Sequence, residues 1–301
     1  MPKENTHLSF AKKILNNPKK ASEIINKNIE YYYFGSIFPD TFYYSKNIKV
    51  EELSDYLHHG ENNITNEVII KLIKAAKDNK DEELLTFSMG YITHCCLDIS
   101  FHPMIFYLTG NFYDNNISKR EEARYKHRRM EVILDKYINK GFYYYKLINL
   151  QLLENNNFLK SLSNIFNTAD KQIILASKKQ QKLNKLFQNK YFAEILYFFY
   201  KIKIFKQKSK IALFYRKFCD DEKLELNGEI VYKDLFTGIE IRTNIDELFN
   251  NALTKSSFAI ESIYKYYLNE VTEEEMRLNI PKENLDTGSK IFGLDEAKFF
   301  T

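Results

Sequence analysis

Apolar residues recur along the chain three and four positions apart, the spacing of helices buried on one face, and the pattern divides into blocks. The first block runs to Leu15, with Leu8, Phe10, Ala11, Ile14 and Leu15 apolar and Thr6 placed to cap it. Gly35-Ser36-Ile37-Phe38-Pro39-Asp40 reads as a loop, because glycine and proline punctuate elements. Asn66 to Asp78 is the next helical block. Asp81 is then set to cap a longer helix, with Glu82 and Glu83 in the first turn that favours acids. That helix carries Leu84, Leu85, Phe87, Met89, Ile92, Cys95, Cys96, Leu97, Ile99 and Phe101. It is apolar nearly all round, which predicts a helix buried in the middle of the fold. Pro103 is expected to end it, since the residue before a proline is pushed out of the helical region. Further helices are predicted over residues 121–139, 157–167, 170–189, 191–218 and 244–269, with an extended segment at Glu229 to Tyr232 and an irregular tail after Glu270. The expectation is an all-α protein: a single multi-helix domain over 1–301, with a ligand-bearing half at 1–140 and a helical half at 141–301.

Composition agrees. Nine Gly and five Pro in 301 residues are few for the tight turns of an all-β protein, and 44% apolar content supports a sizeable core. A net charge of +4 is too small by itself to argue for a nucleic-acid or membrane partner. Cys95, Cys96 and Cys219 are odd in number, two of them adjacent in an apolar run, which fits a reducing compartment better than a disulfide framework. No apolar signal follows Met1, and the longest greasy stretch, Tyr191 to Tyr200, is half the roughly 20 residues a bilayer span needs. These features predict a soluble, cytoplasmic protein with no transmembrane segment.

All six histidines lie between residues 7 and 127. In Thr93-His94-Cys95-Cys96-Leu97-Asp98-Ile99-Ser100-Phe101-His102-Pro103, His94, Asp98 and His102 are spaced i, i+4, i+8 and share one stripe of the buried helix. A carboxylate buried among apolar neighbours is costly unless something neutralises it. A divalent cation does so, and imidazole nitrogen with carboxylate oxygen is a ligand set that zinc takes. His127 and Glu131 repeat the i, i+4 spacing on the next helix, and His58 and His59 lie upstream. The plainer alternatives are a structural His94–Asp98 ion pair and a Glu131 paired with Arg128 or Lys126. Cys95 and Cys96 flank the stripe but point away from it, so core packing is expected of them.

At these residues the chain resembles the bacterial zinc-dependent phospholipase C family. The resemblance rests on Thr6-His7-Leu8, Phe38-Pro39-Asp40, Asp55-Tyr56-Leu57-His58, Gly90 to His94 through Asp98 to His102-Pro103, and His127-x-x-x-Glu131. It spans about residues 6 to 135, with a weaker likeness at Thr237-Gly238-Ile239-Glu240 and Leu285-Asp286-Thr287-Gly288 to C-terminal parts of uncharacterised members. It implies an all-helical fold and two zinc ions, with a third as an added site. His58, His94 and Asp98 would hold one ion, and His102, His127 and Glu131 a second. His7, a bridging Asp98 and the amino-terminal backbone would hold the third. Asp40 would be the general base, and His59 competes with His58 for its place. Secreted members complete the third site with the amine of an N-terminal Trp; this chain has no Trp, and its Asp98-to-His102 spacing is shorter.

The implied activity is hydrolysis of a phosphodiester, where clustered zinc lowers the pKa of water and clamps the phosphate. The substrate would be a phosphoester such as a phospholipid. The rival readings are a related zinc-dependent single-strand nuclease and a non-catalytic helical protein stabilised by metal. Residues 171–217 hold thirteen Lys or Arg and one acid, Glu194, with aromatics interleaved. This stretch suits peripheral contact with an anionic membrane or, alternatively, nucleic acid, against the plainer reading of a solvated lysine face on core helices. Tyr31-Tyr32-Tyr33-Phe34 would either wall a pocket or pack in the core.

Overall fold

The computed structural model describes residues 3–15, 20–62, 64–139, 144–205, 207–215, 226 and 228–301. Its helices are α1 (Glu4–Ile14), α2 (Ser22–Lys27), α3 (Ile29–Ile37), α4 (Ile48–His59), α5 (Asn66–Asn79), α6 (Glu82–Thr109), α7 (Ile117–Asn139), α8 (Asn156–Ile165), α9 (Asp170–Phe187), α10 (Lys190–Lys201), α11 (Lys208–Ile211), α12 (Ile245–Tyr267) and α13 (Glu273–Leu278). A 3-10 segment, Phe38–Tyr44, joins α3 to α4. Among the described residues the fold is all-α apart from one antiparallel strand pair, β1 (Ile230–Lys233) with β2 (Glu240–Thr243), in which Ile230 faces Thr243. The sequence pointed to the first strand but not to its partner. Among the described residues, no helix is long and apolar enough to cross a membrane.

The apolar helix is α6, and it is central as expected. The Asp81 side chain accepts from the Leu84 N–H at 2.9 Å and starts it. Helices α1, α3, α5, α7 and α12 pack around it, so both its flanks are buried. Pro103 does not end α6, which runs on to Thr109 and stops at Gly110 with φ 92°. A proline inside a helix costs about 3 kcal/mol. Phe101, Met104, Ile105 and Phe106, all buried on either side of it, outweigh that cost at about 1.5–3 kcal/mol for each buried large side chain.

Two further expectations change. Gly35 is not a loop residue but lies within α3, where it meets Gly90 of α6. A Cβ on Gly35 would stand 2.1 Å from the Phe87 carbonyl oxygen, and one on Gly90 1.9 Å from that of Tyr32. The two glycines are there for close approach of backbones, not for a turn. Thr6 lies inside α1 and does not cap it; its hydroxyl donates to Asp135 Oδ1 at 2.6 Å. Asp135 also accepts from Asn5, Tyr215 and Asn139, which ties α1 to α7. Tyr32, Tyr33 and Phe34 are core residues.

The C-terminal tail returns to the first half of the chain. Thr65 Oγ1 donates to the Glu283 carbonyl at 2.7 Å, and the Leu285 N–H donates to the His58 carbonyl at 2.9 Å. Gly288, at φ 64°, then crosses α6, where a Cβ would sit 3.0 Å from both the Ile99 oxygen and Pro103 Cγ.

Candidate metal centre

Five segments bring the ligand-type side chains to one place: His7 from α1, Asp40 from the 3-10 segment, His58 from α4, His94, Asp98 and His102 from α6, and His127 and Glu131 from α7. All eight are buried. Three groups have donor atoms close enough to share an ion: His7 with His94 and Asp98, Asp40 with His58 and His94, and His102 with His127 and Glu131. Asp98 lies among four imidazoles, 3.0 Å from His94 Nε2, 3.3 Å from His7 Nε2, 3.6 Å from His58 Nε2 and 4.0 Å from His102 Nε2. The close α3–α6 crossing matters here, because it carries the Ser36 carbonyl to His94.

Backbone carbonyls fix the tautomers. His58 Nδ1 donates to Ser54 O at 2.6 Å, His94 Nδ1 to Ser36 O at 3.0 Å, and His102 Nδ1 to Leu285 O at 2.7 Å. A carbonyl only accepts, so each Nδ1 carries a hydrogen and each Nε2 points inward, offering a lone pair whenever the ring is neutral. The Nε2 atoms of His58 and His94 thus face each other at 3.4 Å. Both nitrogens of His7, His102 Nε2, Asp40 Oδ1 and both oxygens of Asp98 have no hydrogen-bond partner among the described residues. Buried acceptors aimed at one another are costly unless a positive charge lies between them. The donor set fits a divalent metal, and the carbonyls supply the orienting contacts that metal-bound histidines use.

Electrostatics sorts the residues. Burial works against a charged His58, but Asp40 and Asp98 outweigh it and hold its pKa up at about 10. Burial, with His7 beside it, pushes His94 down. Burial pushes His127 down to about 4 despite Glu131, whose Oε1 faces its Nε2 at 3.0 Å. Burial would raise Asp98, yet His94, His102 and His7 hold it well below the usual carboxylate range. Burial likewise works to raise Glu131, and positive charge nearby, His127 included, keeps it low. Asp40 alone of the three carboxyls is raised, by burial that His94 and His58 do not offset.

His59 is not in the cluster. Its Nε2 pairs with Asp286 Oδ2 at 2.7 Å at the half-buried edge of the site. Asp286 Oδ1 lies 3.5 Å from His102 Nδ1, so one tail residue braces two histidines. The sequence reading did not give Asp286 a role; its signal was the Leu285-Asp286-Thr287-Gly288 segment singled out for its resemblance. Glu131 takes His127 as its neighbour, and among the described residues Arg128 forms no ion pair. Cys95 and Cys96 are buried, free and outside all three groups, while Cys219 and Met1, with the amino-terminal backbone of the expected third site, lie outside the described residues.

A cavity of about 330 Å³ opens beside the cluster, lined by Asp40, Tyr43, Tyr44, Phe112, His127, Arg128 and Glu131 among others. Of the basic stretch, α9 is a core helix with its lysines outward, but α10 buries only Ala193. Lys206, Arg216 and Lys217 lie outside the described residues.

No curated protein and no solved structure matches the chain. The family described as zinc dependent phospholipase C matches residues 6–199, a span that holds every side chain of the three groups. With more than half its length matched, the chain belongs to the zinc-dependent phospholipase C family.

Proposed function

We propose that the protein is a zinc-dependent phosphodiester hydrolase acting on phospholipid in the manner of a phospholipase C. The observation that carries the reading is the convergence of imidazole lone pairs and partnerless carboxylate oxygens at one buried point beside a cavity. In this reading His58, His94 and Asp98 would hold one zinc, His102, His127 and Glu131 a second, and His7 with Asp98 a third, with His58 and not His59 as the ligand. Bound zinc would lower the pKa of water and offset charge on the phosphoryl oxygens. Asp40 takes the proton of the attacking water at Oδ1, because it lines the cavity and that oxygen is buried with no hydrogen-bond partner among the described residues. Asp98 and Glu131, held low, remain anionic ligands. Residues 1–140 and 141–301 act as one unit, since Leu285 and Asp286 orient His102 from the far end of the chain.

Helix α10 favours a lipid surface over single-stranded nucleic acid. Tyr191 (81% exposed), Ile195 (55%) and Phe198 (59%) project from it, followed by Ile202 and Ile204, with Lys190, Lys201 and Lys203 beside them. Bases stack on aromatic faces, but exposed isoleucines among lysines gain only from an apolar, anionic surface. Zinc quantification by mass spectrometry, with turnover of dihexanoyl phosphatidylcholine and of single-stranded DNA, tests the reading. We expect bound zinc and lipid turnover that disappears in Asp40→Asn. Turnover that survives Asp98→Ala, or a preference for DNA, would overturn it.

A further inference from the structure

The cavity wall beside the metal centre carries two guanidiniums one helical turn apart. Arg124 and Arg128 of α7 both lie over the Phe112 ring, 5.0 and 5.8 Å from its centroid. Arg124 is anchored, its Nε donating to the Phe112 carbonyl at 3.2 Å, and its one ion pair among the described residues is an edge contact with half-exposed Glu121 at 3.5 Å. Among the described residues Arg128 has no hydrogen bond and no carboxylate within ion-pair reach, Glu131 and Glu121 acting on it only at longer range. Like charges at i, i+4 destabilise a helix, so the pair stands at a cost unless an anion joins it. The acids of the same cavity are committed elsewhere or stand off. Asp40 and Glu131 belong to the metal centre, Tyr44 donates to Glu4, Tyr43 donates to Asp55 at 3.0 Å, and His59 holds Asp286, while Glu51 is exposed.

We propose that Arg124 and Arg128, held by Phe112, form a subsite for a second phosphate on the substrate, a phosphomonoester on the head group beyond the phosphodiester that is cut. Two guanidiniums match the charge of a phosphomonoester, about −1.5 to −2 at neutral pH, better than that of a single carboxylate. The planar fork of arginine suits phosphate oxygens, and the cavity leaves room for a head group beside the cluster. The subsite makes phosphorylated head groups preferred over neutral or cationic ones. The proposal rests on the hydrolase reading of the same cavity, and its test separates the two.

The purified, metal-containing protein is assayed for kcat/KM on dihexanoyl phosphatidylinositol 4-phosphate and on dihexanoyl phosphatidylinositol, which differ only in the second phosphate. Binding of inositol 1,4-bisphosphate and inositol 1-phosphate is measured by calorimetry. The wild type is expected to prefer the phosphorylated member of each pair. Arg128→Gln should cut that preference by about tenfold to a hundredfold, the worth of a charge-assisted contact, with Arg128→Lys keeping part of it. Arg124→Gln serves as a second variant should Arg128→Gln fail to fold. No preference in the wild type, or an equal loss on both members of a pair, would place the arginines on the scissile phosphate or outside binding and overturn the subsite. If neither lipid is cut yet bisphosphate binds selectively through Arg128, the subsite stands and the hydrolase reading fails.

Discussion

Replacing Asp98 by Asn keeps the shape of the side chain and removes one buried negative charge. Asp98 belongs to one candidate group and lies 3.6 Å from His58 in a second, so two of the three groups lose an anionic partner. An ion present at a thousandfold excess over its dissociation constant stabilises the native state by about 4.1 kcal/mol. Two such ions contribute roughly 8 kcal/mol. At about 2 °C per kcal/mol for a chain of this size, the melting temperature should fall on the order of 15 °C. Differential scanning calorimetry with and without chelator reads the effect, and mass spectrometry counts the metal. Chelation should lower the wild-type melting temperature by at least as much as the substitution does. In Asp98→Asn, chelation should remove only the stability due to His102, His127 and Glu131. The metal-free alternative also predicts destabilisation, because His58 would lose a counter-charge, worth about 3–5 kcal/mol for a broken buried pair. That alternative predicts no response to chelator in either protein. A wild type whose melting temperature ignores chelator therefore refutes the reasoning, however unstable the Asn variant proves.

Three other outcomes follow from the same geometry. His58, held at about 10 against an ordinary 6.5, is protonated in the metal-free protein at neutral pH, whereas a metal ligand must be neutral. Zinc affinity should therefore rise about tenfold per pH unit between roughly pH 6.5 and 10, as read by competition with a chromogenic chelator; a flat profile would exclude proton release at this ring. In the metal-free protein the raised pKa has the opposite consequence: its stabilisation is complete below about pH 6.5 and is lost as pH climbs through 10. Gly90→Ala places a methyl 1.9 Å from the Tyr32 oxygen. It should cost about 1–3 kcal/mol or more in urea unfolding and weaken zinc binding by moving Ser36 off His94; an unchanged midpoint would show that the crossing yields. Asp286→Ala removes the brace on His59 and His102 and should weaken metal binding about tenfold to a hundredfold, the usual scale for an outer contact, while unaltered zinc affinity would leave Asp286 only a surface role.

The sequence by itself determined the central helix and the ligand stripe. Angle per residue is a local property, so the apolar circumference of α6, its Asp81 cap and the alignment of His94, Asp98 and His102 were all legible from spacing. The cost of a buried carboxylate is equally local, and it pointed to a cation before any fold was known. What only the tertiary structure decided are distances between segments. Neighbours on a helix differ by 100° of rotation, so His58 and His59 were indistinguishable until packing turned one inward and gave the other to Asp286. Gly35 looked like a break because glycine serves both turns and close crossings, and only the partner backbone tells which. Pro103 stayed inside its helix because burial contributed by distant segments outweighs a local preference. Asp286 lies more than 180 residues from His102 along the chain, and periodicity carries no information about a contact that folding alone creates.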